Sequence, residues 1–247
     1  MRYLASIFIL CGSMWGQGIL APILQGAPAA GGGHGAFVQF IHGYPSTQYT
    51  FASGNTAGDF IFSCVSSNST SVTFTVGDDQ GNTYQTIQYC RSNQGQPVTV
   101  ACSYAMNIAS HAAGNKVTWT PTGGSDDGGF AYEMSGIATT SALDGSPTCG
   151  QSTASATKTP ITGSFSTTAT DTIFAAMGDE TAGQGAITPG AILGTTATMS
   201  GTGNPTTTHA DASEYVLNQA SGTGTAAMST VNNSSTWIIY EWAFKSP

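Results

Sequence analysis

The chain has 247 residues, of which only 7% are charged, against about 25% in an ordinary soluble domain. Its surface must therefore be built from Ser, Thr, Asn, Gln and Gly. A net charge of −8, with the five basic residues Arg2, Arg91, Lys116, Lys158 and Lys245 scattered along the chain, excludes nucleic acid as a partner, since that affinity rests on clustered Lys and Arg.

Arg2 precedes the apolar run Tyr3 to Cys11, and the small residues Ala27-Pro28-Ala29 precede a Gly31-Gly32-Gly33 spacer. This order predicts a secretory signal peptide over 1–29, cut between Gln17 and Ala30, then a spacer over 30–36 and a single domain over 37–247. The rival is an uncleaved membrane anchor from Leu4 to Leu24, diluted by Gly12, Ser13, Gly16, Gln17 and Gly18. Export puts Cys64, Cys90, Cys102 and Cys149 in an oxidising compartment, where four cysteines allow three pairings. Cys90 and Cys102 flank the turn-like segment RSNQGQP, so the expected bonds are Cys90–Cys102 across a hairpin and Cys64–Cys149.

The first strand is Ala36 to Ile41. Asp59 opens a second, in which both faces of Phe60 to Val65 are apolar, the mark of a strand central to a sheet. Val72, Phe74 and Val76 then alternate with Ser71, Thr73 and Thr75, and Asp78, Asp79, Gly81 and Asn82 supply turn residues before a polar-aromatic strand that ends at Cys90. Val98 to Met106 gives the longest alternation, followed by Val117 to Trp119 and Phe130 to Ser135. A long loop covers Ala138 to Pro160. Phe165, Ile173 to Met177, Ala191 to Met199, Glu214 to Leu217, Ala226 to Val231 and Trp237 to Phe244 complete the strands.

No segment outside the leader has a helical period. Short strands between turn clusters predict an all-β fold, a two-sheet antiparallel β-sandwich of jelly-roll-like form. One internal echo is visible: Thr56-Ala57-Gly58-Asp59-Phe60-Ile61-Phe62 against Thr168-Ala169-Thr170-Asp171-Thr172-Ile173-Phe174. It places an Asp ahead of an apolar strand twice, at what would be equivalent corners of two sheets.

The motifs NTAGDFIF, DDQGNTYQ, YAMNI with GNKVTWT, YEMSGI, LDGS, TTATDTIFAAMG and WIIYEWAFK follow one another from Phe37 to Lys245. In that order they resemble a family of exported, Ser/Thr/Gly-rich β-sandwich domains of bacterial and metagenomic sequences. The resemblance implies an extracytoplasmic jelly-roll-like domain of the kind found in larger surface proteins. It brings no catalytic residues with it, and the cysteines depart from it.

The sequence carries no GxSxG, HExxH or GxxxxGK and no dinucleotide fingerprint, which weighs against the common hydrolases, proteases and nucleotide-binding enzymes. Chemistry, if there is any, points to the glutamates, because Glu is depleted in strands. Glu133 and Glu241 lie on predicted strands; on one concave face they would serve as the acid and the base or nucleophile of a glycosidase. Trp119 and Trp237 are the candidates for stacking on sugar rings, while Tyr240 and Trp242 belong to the core. Asp78, Asp79 and Asn82 offer oxygen ligands to a structural calcium, although a plain turn uses the same residues. Asn68, Asn232 and Asn233 are glycosylation sequons.

The reading that follows is a secreted or cell-surface, non-catalytic protein that binds glycan or another extracellular polymer. The alternatives are a glycoside hydrolase using Glu133 and Glu241, and a structural surface protein that self-assembles through an edge strand between Gly18 and Phe40. No nucleotide is expected, a membrane only with an uncleaved N-terminal segment, and the oligomeric state stays open.

Overall fold

Alternation of apolar and hydroxyl side chains sets the strands, and the faces they bury set the layers. The computed structural model describes residues 34–123, 128–152, 157–180, 186–202, 210–230, 232 and 236–247. The predicted leader lies outside the described residues. From Gly32 to Pro247 the chain forms one unit.

The first half contains β1 (Ala36–Gly43), β2 (Gln48–Thr50), β3 (Phe60–Ser67), β4 (Thr73–Asp78), β5 (Gln88–Ser92), β6 (Val98–Ala105), β7 (Lys116–Thr122) and β8 (Gly128–Ser135). The second contains β9 (Thr148–Gln151), β10 (Phe165–Ser166), β11 (Asp171–Asp179), β12 (Thr188–Ile192), β13 (Thr195–Thr196), β14 (Thr198–Thr202), β15 (Ala210–Gln219), β16 (Thr223–Gly224), β17 (Ala226–Ser229) and β18 (Trp237–Lys245). There is no helix among the described residues. The fold is an all-β sandwich of antiparallel sheets, as the strand pattern predicts.

Two five-stranded sheets, β1-β8-β3-β6-β5 and β14-β15-β11-β18-β9, face each other. Phe60, Phe62, Phe130 and Tyr132 from one meet Phe174, Tyr240, Trp242 and Phe244 from the other in the central core. The outer face of the first sheet is covered by β2-β7-β4, with Tyr49, Phe74, Val117 and Trp119 packed on Ile61, Val65 and Ala131. The outer face of the second is covered by β13-β12-β17, with Ile192, Ala226 and Met228 packed on Ile173, Ala175, Met177 and Ile239. Both faces of the central strands are thus dry, which is why β3, β6 and β11 are buried along their whole length.

The halves repeat one plan. Matching β3 to β11, β6 to β15 and β8 to β18 turns the order of the first large sheet into that of the second, with β1 matched to β9 and β5 to β14. Register agrees: Ile61 pairs with Ala105 and Ile173 with Val216, so Tyr104-Ala105-Met106-Asn107 matches Tyr215-Val216-Leu217-Asn218. Asn107 and Asn218 both take positive φ, 50° and 54°, in the left-handed region that Asn tolerates. The Thr-Ala-x-Asp echo therefore marks equivalent entries to the two central strands. Phe62 packs at a tilt against its counterpart Phe174, ring centroids 4.7 Å apart, and Ser66 lies against its counterpart Gly178, so β3 and β11 run in the same direction.

Two local expectations are corrected. Ser71 to Cys90 is not a hairpin: β4 belongs to the outer sheet and β5 to the central one. After the Asp78 turn the chain crosses between layers, and the Gln85 N–H donates to the Tyr104 carbonyl at 2.8 Å. The disulfides are Cys64–Cys102 and Cys90–Cys149, not Cys90–Cys102 and Cys64–Cys149. The hairpin of β5 and β6 does form, but its register sets Cys90 opposite Val100 and Cys102 opposite Gln88, while Cys102 faces Cys64 directly on β3. Cys90 is left to reach across the sandwich to Cys149, tying the edge strands β5 and β9 of the two large sheets.

Candidate functional site

The glutamate pair does not assemble. Glu133 on β8 lies opposite Ile61, on the outer face of the first large sheet; Glu241 on β18 lies opposite Ala175, on the outer face of the second. The whole central core stands between them, and their exposures are 0% and 1%. A glycosidase needs both carboxyl groups on one open groove, so these two cannot act as acid and nucleophile on one sugar. The sequence shows that each strand alternates; it does not show that an outer sheet covers the face on which each Glu projects.

Their surroundings explain them. The Glu133 carboxylate accepts hydrogen bonds from the Thr56 backbone N–H at 2.8 Å, from Asn55 Nδ2 at 2.7 Å and from Gln39 Nε2. Burial pushes the Glu241 carboxyl up to about 8, against the pull of the Thr148 backbone N–H and with the help of the negative charge on Asp171. Glu214 is raised to about 7 by burial, although the Gly190 N–H donates to it at 2.9 Å.

The tryptophan platform is overturned too. Trp119 is 1% exposed, donates from Nε1 to Ser63 Oγ at 2.9 Å and packs edge-on against Phe74. Its neighbours Thr118 and Thr120 carry the outward face of β7, so strand parity turns the indole inward. Trp237 is 4% exposed and shares its inward face with Ile239 and Ala243 beneath β12 and β17. Tyr240 and Trp242 are core residues as expected.

At the Asp78 turn, Asp78 Oδ1 accepts the N–H groups of Gln80 and Asn82 at 3.1 and 3.0 Å, and Oδ2 accepts Asn82 Nδ2 at 2.8 Å. Asn82 Oδ1 accepts the Ala109 N–H at 2.8 Å. These bonds engage the oxygens a calcium would need and leave only Asp79, so the turn is held by its own donors. No cluster of three or more His, Cys, Asp or Glu suited to a metal occurs among the described residues.

Sequence reasoning passed over the carboxyl pairs at the repeated turns. Asp59 and Glu133 are diagonal neighbours on one sheet face. Burial, and then the Glu133 charge, push Asp59 up to about 7. In the second half, Asp144 accepts the Thr168 hydroxyl at 2.6 Å, the Thr168 N–H at 2.5 Å and the Ala169 N–H at 3.0 Å. Burial opposes its charge, but those bonds outweigh burial and hold its carboxyl below the usual value. Beside it Asp171 is pushed up to about 7 by burial and by the Asp144 charge. The Thr-Ala-x-Asp echo was the signal for these pairs. The inter-sheet contact His42 Nε2 to Asp211 Oδ2, 2.8 Å, gave none.

The outward face of β2-β7-β4 is a hydroxyl lattice. Thr73 faces Thr122 and Thr75 faces Thr120 across β4 and β7, Gln48 faces Thr118, and Thr50 faces Lys116. Thr50, Thr73, Thr75, Thr120 and Thr122 are exposed. No protein-family model, no curated protein and no solved structure matches the chain.

Proposed function

We propose that this chain is a secreted or cell-surface, non-catalytic β-sandwich module that binds an extracellular polysaccharide through the threonine face of β2-β7-β4. The observation that carries this reading is the registered pairing of exposed threonines on that face. Strand geometry spaces such hydroxyls about 4.7–4.9 Å apart across strands and about 7 Å along them, an array of donors and acceptors for the repeating hydroxyls of a neutral sugar polymer. Within the strands Lys116 is the sole charged residue on it, with Asp79 beside it just past the end of β4, in keeping with an uncharged ligand. Two disulfides suit an extracellular setting, and the resemblance to exported surface domains points the same way.

The buried, separated glutamates lend hydrolysis no support. Edge-strand assembly is disfavoured by the bulges in β1 between Phe37 and Gln39 and in β14 between Met199 and Gly201, which spoil the edges as templates. The test is sedimentation of the protein with insoluble cellulose, chitin and mixed β-glucans, alongside the double variant Thr75→Glu/Thr120→Glu. Binding by the wild type that falls at least about tenfold (about 1.4 kcal/mol) in the variant is expected. No binding to any polymer, or equal binding by both proteins, refutes the proposal.

A further inference from the structure

The strongest unassigned feature is the recurrence of a carboxyl pair at the same place in both halves. Ile61 and Ile173 are equivalent; the first is paired with Glu133 and the second with Ala243. Where the first half has a long acidic side chain, the second has a methyl group. Asp144 makes good the difference: its N–H donates to the Ala243 carbonyl at 2.9 Å, placing its carboxylate where Glu133 would reach. Both carboxylates accept the N–H of the first residue of the echo, Thr56 or Thr168. Both lie beside its fourth residue, Asp59 or Asp171, which is 8% or 0% exposed. Different elements thus deliver the same arrangement twice.

We propose that the Thr56–Asp59 and Thr168–Asp171 turns are proton-held latches, each closed while the Asp that opens the central strand carries a proton and faces the carboxylate capping the turn, and both released by alkali. Two bare carboxylates in a dry site repel, and each keeps its charge only at a desolvation cost. One shared proton relieves both penalties. Beside Asp59 stands Glu133 of β8, whose carboxylate is bonded by the neutral Asn55, Thr56 and Gln39, and His111 lies on the loop that bridges to Asn55. Around Asp171 they are Asp144, Glu241 and Lys245, with the Lys245 ammonium 3.8 Å from Asp144 and 36% exposed. The rise of Asp59 and Asp171 to about 7 supports the proposal, and its leading cause in both is burial. Because β3 and β11 run in the same direction, both latches lie at one end of the sandwich, opposite the end that holds the His42–Asp211 pair. Release would therefore loosen one end while Cys90–Cys149 still ties the two sheets.

The sign follows from linkage. Each Asp is raised in the folded state, so the folded chain holds a proton there that the unfolded chain has given up. The stabilisation is complete below the ordinary Asp range and is lost as pH rises through about 7.

The experiment compares the wild type with Asp59→Asn/Asp171→Asn, in which the neutral amide still donates to the capping carboxylate. Urea unfolding is measured from about pH 5 to about pH 9, where the raised Glu214 is common to both proteins and cancels, while Glu241 loses in the variant only the small push from the Asp171 charge, burial being its larger cause. The unfolding constant of the wild type should climb with pH more steeply than that of the variant by up to about a hundredfold per pH unit, two protons' worth. Hydrogen exchange, corrected for intrinsic rate, should show the amides of residues 56 and 168 losing protection together in alkali in the wild type and keeping it in the variant. Equal slopes, or unchanged protection at both turns, overturn the proposal. Carboxyl carbon NMR on the unsubstituted chain decides the matter if the variant does not fold: one carboxyl per turn should titrate near neutrality, and acid-range titration of all four overturns it.

Discussion

Replacing Cys90 and Cys149 with Ala probes how the sandwich is closed. The bond joins the edge strands β5 and β9 of the two large sheets and spans 59 residues of sequence, overlapping the 38-residue span of Cys64–Cys102. Because the two spans interlace, the shorter bond offers no shortcut between Cys90 and Cys149, and the full span sets the entropy of closure. The chain-entropy relation then gives about 4 kcal/mol of lost stability, a large share of the roughly 5–15 kcal/mol that holds a domain together. At about 2–4 °C per kcal/mol for a protein of this size, the melting temperature should fall by about 8–16 °C. Calorimetry of the variant at neutral pH measures it. Cys149 is exposed whereas Cys64 and Cys102 are buried, so graded reductant followed by alkylation and peptide mapping should open Cys90–Cys149 first. A variant melting within about 2 °C of the wild type, or prior reduction of Cys64–Cys102, would refute the reasoning.

Glu241→Gln removes a carboxyl that burial holds at about 8. The protonated acid costs little in the folded chain, so its contribution is whole below about 4.5 and lost as pH rises through about 8. The variant should therefore gain about 4–5 kcal/mol on the wild type at about pH 9 and almost nothing at about pH 4, read from urea midpoints; a difference that does not vary with pH would show that Glu241 is not held protonated. Trp119→Ala should cost about 3–5 kcal/mol, because it empties the layer between β7 and the first large sheet and takes the indole donor from Ser63. A cost under about 0.5 kcal/mol would restore Trp119 as an exposed ring free to stack on sugars.

What the sequence discloses here is the strand and its period. It is weak on what lies above each face. Phe60 to Val65 announces a central strand because both faces are apolar, and the structure places it there. Trp119 and Glu133 fail for a common reason: period two separates two faces without saying which one a further sheet will cover, and only contacts distant in sequence settle that. The cysteines fail through register. A two-residue offset between β5 and β6 moves Cys102 from Cys90 to Cys64, and turn residues alone do not fix that offset. The echo at Thr56 and Thr168 was legible as an echo, but Asp144 sits in a loop with no strand pattern, so its place beside Asp171 follows from the fold alone.

Composition explains why the buried acids take protons instead of cations. Thirteen acidic residues share the chain with five basic ones, of which Arg91 is engaged with the Val72 carbonyl and the Tyr89 ring. Among the described residues Lys245 is the one ammonium beside a latch, and its exposure weakens the pairing. A four-layer sandwich dries both faces of its central strands, so among the described residues Asp59, Glu214 and Glu241 have no cation beside them, and Asp171 has only the half-exposed Lys245 ammonium to favour its charge. Protonation is the remaining way to meet the desolvation cost. The sequence features that make the surface neutral and hydroxyl-rich thus also make the interior depend on acid, and a cation brought to one latch should loosen that dependence. Gln39→Lys places an ammonium where the amide of β1 now donates to Glu133. It should return Asp59 toward its ordinary acid range while Asp171 stays near neutrality, a split that carboxyl NMR resolves; joint movement of the two would mean that the halves do not titrate independently.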